Sequence, residues 1–200
     1  MIKFTGTETL QEYYFKMSLN ELDNQLDESK IKIVIDHING SNYLNDKKYP
    51  ILFPKSMIDK IFNLSKIKNN NYYFKGVIEK DREWVFNYKN DGIVENSTYG
   101  RNPTKKYHLD MDYYSEMSKS RFTLSPIGSC PWSYRLFESI MCFSIPILPE
   151  DTNDIFHSKF KCLKIGDKHI YDYDICESNY KQLLKYHTLN NDISEKFDCI

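Results

Sequence analysis

A loop and the start of a helix, between residues 125 and 138, carry side chains suited to binding a diphosphate. Gly128 permits close approach of the backbone to a ligand, and Ser129 and Ser133 offer hydroxyl groups. Arg135, in the predicted first helical turn, can donate a forked pair of charge-assisted hydrogen bonds to phosphate oxygens. The segment therefore predicts an anion site at a helix amino terminus.

Glu138 follows Arg135 by one helical turn and shares its face of the predicted helix. A carboxylate in that position can accept hydrogen bonds from ribose hydroxyls, as acidic residues do in dinucleotide sites. The alternative is structural: Ser133 is a helix cap, while Arg135 and Glu138 are solvated or form a local ion pair. The residues alone leave both interpretations open.

Strands and helices alternate around this segment. This order predicts an α/β fold with a mostly parallel, Rossmann-like sheet and flanking helices. Ligands in such folds bind at the carboxyl ends of strands, which nominates a second loop that contains Gly76 and Arg82. The predicted strands are 72–78, 92–98, 121–128 and 144–150, and the predicted helices are 79–89, 112–118 and 133–143.

The ends of the chain are less regular. A β-branched strand at 31–37 ends with Asp36 and His37 and is followed by a turn signal. The apolar pattern after residue 54 predicts a helix, and the carboxyl-terminal part predicts a strand at 159–166 and a helix at 176–186. We expect a reduced amino-terminal region at 1–70 and a nucleotide-binding domain at 71–200.

Composition excludes several classes of protein. The 200 residues are 40% hydrophobic and 28% charged with a net charge of -1, which is typical of a soluble globular domain without a nucleic-acid partner. The five cysteines lack metal-ligand spacing, and no apolar run suggests a signal peptide or transmembrane anchor, so we expect a cytoplasmic chain. Asp110 and Asp112 are interpreted as acids at a helix start rather than as metal ligands. We expect no metal and no cofactor.

The string FTLSPIGSCPWSYRLFESIMCFSIPIL resembles the pattern of exostosin-type glycosyltransferases. That pattern has a strand ending F-x-L-x-P-x-G, a loop, S-x-R-x-x-E on a helix, and a strand with I-P. The upstream segment YYFKGVIEKDREWV is similar to the start of the same domain, so the resemblance covers roughly residues 72–165. It implies the donor-binding half of a GT-B glycosyltransferase, with Ser133, Arg135 and Glu138 at the donor nucleotide.

The resemblance also implies an activity. We expect metal-independent transfer of a sugar from a nucleoside-diphosphate sugar, with UDP as the expected nucleotide, to a glycan or other hydroxyl acceptor. The catalytic base is not identified; Asp36 and His37 are the candidates that the acceptor-side region offers, with structural roles as the alternative.

One departure from the family pattern bears on phosphate binding. Ile127 stands where the family often has arginine, so either Arg82, Arg101 or Arg121 supplies the phosphate charge instead, or the affinity for the donor is weak. Two alternatives to an enzyme stay open for this reason. One is a non-catalytic module that binds a nucleotide sugar or glycan, and the other is an interaction domain that keeps only the Rossmann-like core.

Overall fold

The computed structural model describes residues 2–3, 7–22, 30–98, 109–128, 132–152 and 158–189. These residues group into two units: those of Met1–Asp59 with Leu183–Ile200, and those of Lys60–Gln182. The division falls at residues 59 and 182, whereas the sequence pattern predicts one boundary at residue 70. The role of the amino-terminal region as an acceptor side remains a prediction.

The first unit contains an antiparallel three-stranded sheet in the order β1-β2-β3. The predicted strand at 31–37 is present as β1, Ile33–Asp36, and a turn leads from it into β2, Ser41–Leu44. The third strand is β3, Lys47–Pro50. Helix α1, Leu10–Asn20, precedes all three strands in the sequence. Buried side chains from α1, from the strands and from the segment after β3 form its core, among them Phe15, Leu19, Leu44, Tyr49 and Leu52.

The second unit is built on a five-stranded parallel sheet in the order β5-β4-β6-β7-β8. The α/β class predicted from the alternation of elements is therefore confirmed. The strands are β4, Asn70–Gly76; β5, Gly92–Asn96; β6, Ser120–Leu124; β7, Ile145–Leu148; and β8, Leu163–Lys164. The remaining helices are α2, Lys55–Phe62; α3, Met111–Ser118; α4, Tyr134–Met141; and α5, Tyr173–Tyr186.

The two faces of the parallel sheet have different coverings. Helices α3 and α4 pack on one face. On the other face, alternate strand residues form a buried apolar cluster with Val85 and Cys176: Phe74, Val94, Phe122, Leu124, Ile145 and Ile147. Because side chains alternate across a strand, the same strands supply both layers.

The connection between β4 and β5 differs from the predicted helix. Lys80–Asp91 forms a 3₁₀ helix rather than an α-helix. Val85 is its buried residue, and the segment is rich in Asn, Asp and aromatic residues, which have only modest α-helix propensity. Residues of modest propensity give the α-helical hydrogen-bond pattern little advantage here, and the tighter 3₁₀ spacing is retained.

None of the helices among the described residues is both long enough and apolar enough to cross a membrane.

Candidate functional site

The carboxyl ends of two neighbouring parallel strands form one edge of the sheet in the second unit. β4 ends at Gly76, and β6 ends at Leu124 and continues into residues 125–128. Since β4 and β6 are paired in parallel, these two exits lie side by side. We call this edge, together with the amino terminus of α4, the carboxyl edge.

Ser133 caps helix α4. Its backbone is extended, with φ at -139°, and its Oγ accepts a hydrogen bond of 3.1 Å from the backbone N–H of Arg135. A serine hydroxyl that accepts in this way still has its own hydrogen to donate. Capping and the predicted phosphate contact are therefore compatible at this residue.

The Arg135 side chain is held by the backbone at the end of β4. Its Nη2 donates to the carbonyl oxygen of Lys75 at 2.8 Å, and its Cζ lies 4.4 Å from the ring centroid of Phe74. Its Nε is buried and has no hydrogen-bond partner among the described residues. Arg135 pairs with no carboxylate in the described part of the chain, so the local ion pair with Glu138 that the sequence left open is absent.

Arg82 joins the two strand exits. Its Nε donates to the carbonyl oxygen of Ile127 at 3.3 Å, and its Nη1 donates to that of Val77 at 3.2 Å. Like Arg135, it has no carboxylate partner among the residues described here. Val77 directly follows Gly76, so both guanidinium groups are anchored at the exit of β4 by neutral carbonyl oxygens.

The other arginines considered for phosphate charge are placed differently. Arg121 Nη1 donates to Asn71 Oδ1 at 2.5 Å, and both residues belong to the amino-terminal parts of their strands. Arg121 thus lies toward the opposite edge of the sheet.

Arg101 and the predicted ligand Ser129 lie outside the described residues. Among the described arginines, Arg82 reaches the loop of Ile127, and Ile127 itself is 37% exposed. Gly128 is half-buried at the end of the described loop.

Glu138 is not a solvated helix residue. It is 1% exposed, and both of its carboxylate oxygens accept hydrogen bonds from tyrosines of α3. Tyr113 donates to Oε2 at 3.0 Å, and Tyr114 donates to Oε1 at 3.3 Å. Neither tyrosine was predicted from the sequence, because their spacing on α3 does not indicate which residue of another helix they contact. The ribose-binding role of Glu138 remains a prediction.

Asp36 and His37, the candidate bases, belong to the first unit and lie at the turn between β1 and β2. Asp36 accepts from the backbone N–H of Asn39 at 3.0 Å and from its side-chain amide at 2.8 Å. These two hydrogen bonds lower the pKa of the Asp36 carboxyl below its ordinary value, which weakens it as a proton acceptor. His37 is exposed, and its Nδ1 lies 3.1 Å from Gln11 Oε1. The structure gives both residues local contacts, and their catalytic role is untested.

Asp110 and Asp112 occupy the start of α3, as predicted. Asp110 is the residue at the N-cap position, and Asp112 lies in the first turn, where a carboxylate interacts favourably with the helix dipole. No group of three His, Cys, Asp or Glu side chains is suitably placed to hold a metal ion among the residues that the structure describes. Metal independence of the reaction remains a prediction.

Comparison with curated proteins gives partial matches to plant glycosyltransferases. A probable glucuronosyltransferase of Oryza sativa subsp. japonica is 44% identical over 57 residues, which is 26% of this chain and 13% of that protein. A second from the same species is 32% identical over 90 residues, or 45% of this chain and 19% of the relative. A probable beta-1,4-xylosyltransferase of Arabidopsis thaliana is 30% identical over 90 residues, with the same two shares of 45% and 19%.

The matches cover only part of each protein. The chain spans between 13% and 19% of the length of these three relatives. No protein-family profile matches the chain.

Proposed function

We propose that this chain, which is similar over part of its length to glycosyltransferases of the exostosin family, binds a nucleoside-diphosphate sugar and transfers the sugar to a hydroxyl acceptor. The observation that carries the proposal is the pair of arginines at the carboxyl edge. Arg82 and Arg135 are anchored by carbonyl oxygens, and neither is neutralised by a carboxylate of the described residues.

Two positive charges without acidic partners favour a ligand with two or more negative charges. The amino terminus of α4 adds the positive end of the helix dipole at the same edge. A diphosphate has the charge and the acceptor oxygens that this arrangement would satisfy. The hydroxyl of Ser133 and the unpartnered Nε–H of Arg135 are further donors for it.

The same groups would serve the chemical step. In sugar transfer, the bond between the anomeric carbon and the diphosphate oxygen breaks, and a bond forms from the acceptor oxygen to that carbon. Negative charge then develops on the departing diphosphate, where guanidinium groups and N–H dipoles stabilise it most strongly. We propose that Arg82 and Arg135 supply the compensating positive charge without a metal, and that UDP is the leaving nucleotide.

The acceptor's proton must go to a base. Asp36 and His37 are the proposed candidates, with a glycan as the proposed acceptor. Asp36 is a weak candidate on chemical grounds, because its hydrogen bonds with Asn39 lower the pKa of its carboxyl. That observation favours a second function, in which the chain binds the nucleotide sugar without transferring it.

Calorimetric titration with UDP, GDP and inorganic pyrophosphate tests the proposal. We expect Arg135→Ala and Arg82→Ala each to weaken pyrophosphate and nucleotide binding by about tenfold or more, which is the loss of a charge-assisted hydrogen bond of ~1.5–3 kcal/mol. Arg121→Ala is the matched control and should bind like the wild type. Equal weakening by all three variants, or no binding by the wild type, would refute the site.

A transfer assay distinguishes the two functions. The wild type would be incubated with UDP-sugars and a panel of oligosaccharide acceptors, and both UDP release and the glycosylated product would be measured. Product formation supports the enzyme. Binding without product or UDP release supports the non-catalytic module.

A further inference from the structure

We propose that Lys68 is a modification site, at which an acyl phosphate transfers its acyl group to the side-chain amine. The residue lies in the loop between α2 and β4 and is half-buried, so part of it is open to solvent. Its Nζ lies between the carboxyl ends of α3 and α4, whereas the carboxyl edge lies where α4 begins. The proposal is therefore independent of the proposed function.

The hydrogen bonds of Lys68 suit an uncharged amine. Its Nζ donates to the carbonyl oxygen of Ser118 at 2.7 Å and to that of Cys142 at 3.3 Å. A neutral amine has two hydrogens, which these two acceptors satisfy, and a lone pair that stays free. An ammonium has a third N–H, for which the described residues offer no further oxygen acceptor; the other contact is with the ring of Tyr171, whose centroid lies 5.5 Å away. The neutral form therefore loses neither hydrogen bond, and its lone pair is a nucleophile.

The surroundings of Lys68 also favour the neutral amine. Its pKa falls from 10.5 to about 8, first because the amine is buried and further because Lys66 and Arg121 are positively charged. The thiols of Cys142 and Cys176 act in the opposite direction. No carboxylate pairs with Lys68 in the part of the chain that the structure describes. About a quarter of this side chain is therefore neutral at pH 7.5, against about one in a thousand for an ordinary lysine.

The neighbouring positive charges select the kind of acyl donor. Lys66 donates to the carbonyl oxygen of Phe62, and Arg121 donates to the side-chain oxygen of Asn71. Neither cation has a carboxylate partner among the residues described here, so both attract an anionic reagent and stabilise a phosphate group as it leaves. This attraction speeds the encounter and requires no stable complex. An acyl phosphate is an acyl donor with such an anionic leaving group.

The step is an acyl transfer that changes no oxidation state. The lone pair of Lys68 attacks the acyl carbon, a C–N bond forms, and the C–O bond to the phosphate breaks with its electron pair. One proton of the nitrogen passes to the departing phosphate. The amide that results has one N–H and no charge, so one of the two carbonyl oxygens at the helix ends loses its donor. Acylation therefore weakens a contact that joins the ends of α3 and α4.

Labelling of the wild type with acetyl phosphate tests the proposal. Acetylation of each lysine would be followed over time by peptide mass spectrometry at a series of pH values. At pH 7.5 we expect Lys68 to react at least about tenfold faster than Lys181, because its larger neutral fraction outweighs the lower basicity of its amine. Lys181 is the internal comparison, since it is exposed and pairs with Glu177 at 3.6 Å. The rate at Lys68 should level off above about pH 8.

A variant separates the attraction of the anion from the reactivity of the amine. Arg121→Gln removes one positive charge and keeps an amide N–H that can donate to Asn71. The rate at Lys68 with acetyl phosphate, divided by the rate with uncharged p-nitrophenyl acetate, should fall severalfold in this variant. Lys60→Gln is the matched control, because it removes a positive charge at an exposed position, and it should leave the ratio unchanged. Far-ultraviolet circular dichroism checks that both variants are folded.

Two results on the wild type would overturn the proposal. One is acetylation of Lys68 that is no faster than that of Lys181 at pH 7.5, and the other is a rate at Lys68 that still rises steeply above about pH 9. An unchanged rate ratio in folded Arg121→Gln would overturn it as well. The wild-type rates decide the matter even if Arg121→Gln does not fold.

Discussion

The guanidinium group of Arg135 lies directly against Gly76, the last residue of β4: a β-carbon built on this glycine would come 2.7 Å from Arg135 Nη2. The same Nη2 donates to the carbonyl oxygen of Lys75. Gly76 therefore provides the space in which the arginine reaches the end of the strand. Gly76 and Arg135, which were predicted as site residues on two separate segments of the sequence, therefore lie in contact.

We expect Gly76→Ala to weaken pyrophosphate and UDP binding by about tenfold, because the added methyl group displaces the guanidinium from Lys75. The free energy of unfolding should change little, since the atom in the way is the end of a flexible side chain. Calorimetric titration measures the first quantity, and urea unfolding measures the second. Wild-type affinity in this variant would mean that the observed position of Arg135 does not matter for binding.

Gly92→Ala provides the contrast. A β-carbon on Gly92 would lie 2.2 Å from the carbonyl oxygen of Tyr72, which is backbone and cannot move aside without disturbing the pairing of β4 with β5. We expect this variant to lose stability by several kcal/mol or to fail to fold, as sterically strained substitutions do. Gly76→Ala should therefore be a binding variant and Gly92→Ala a folding variant.

Ser133 allows capping to be separated from phosphate binding. Ser133→Ala removes the acceptor for the Arg135 N–H and should lower the free energy of unfolding by about 1 kcal/mol. Ser133→Asp keeps a capping oxygen, so stability should be near that of the wild type, but its negative charge should repel a diphosphate and lower the affinity for pyrophosphate. Urea unfolding and titration of both variants test this. Tight pyrophosphate binding by Ser133→Asp would contradict a phosphate at this position.

The sequence predicted the parallel sheet because its strands have strong local signals. The run that becomes β7 is almost wholly apolar and is buried, and the helix with Arg135 begins at a serine that could be recognised as a cap. The strand at 31–37 was also predicted, but not its antiparallel pairing with β2 or the pairing of β2 with β3. Those strands carry Asn, Lys and Pro, which have low strand propensity, and their pairing stabilises them.

The candidate site was predicted in part for a related reason. Positions along one helix follow from its period, so Ser133, Arg135 and Glu138 could be grouped from the sequence. Contacts between elements do not follow from a period. The burial of Glu138 against Tyr113 and the contact of Arg82 with Ile127 depend on how separate elements pack, and only the structure supplies them.

Lys68 predicts a dependence of stability on pH. Its Nζ donates to the carbonyl oxygens of Ser118 at 2.7 Å and Cys142 at 3.3 Å, at the carboxyl ends of α3 and α4. Burial lowers the pKa of Lys68 from 10.5 to about 8. Between these two pH values the unfolded chain binds more protons at this residue than the folded one, so its contribution to stability rises with pH.

The test compares the wild type with Lys68→Met in urea unfolding at pH 7 and pH 9.5. The difference in unfolding free energy should shift in favour of the wild type as the pH rises, with a slope of at most ~1.4 kcal/mol per pH unit. Taking the difference cancels the titration of the buried tyrosines, which both proteins share. Lys60→Met, at an exposed position, is the control for the loss of a lysine side chain. A constant difference for Lys68→Met would show that its pKa is the same in both states.

Cys142 should be chemically inert until the protein unfolds. It is fully buried at the end of α4, and burial raises the pKa of its thiol to about 12. Its Sγ lies 3.6 Å from the carbonyl oxygen of Tyr114, the residue that also donates to Glu138. At pH 8 only about one thiol in ten thousand would be ionised, and the thiolate is the reactive form.

Labelling with iodoacetamide at pH 8, followed by peptide mapping, tests this expectation. Cys142 should remain unlabelled in the native protein and react in 6 M guanidinium. In the unfolded chain its thiol has the ordinary cysteine pKa of about 8.5. Cys162 is the internal comparison, because burial also raises its thiol pKa to about 12 although its residue is only half-buried. Its labelling should be slow but independent of global unfolding. Rapid native labelling of Cys142 would mean that α4 separates readily from α3, and the cluster of Glu138 with the two tyrosines would then open as well.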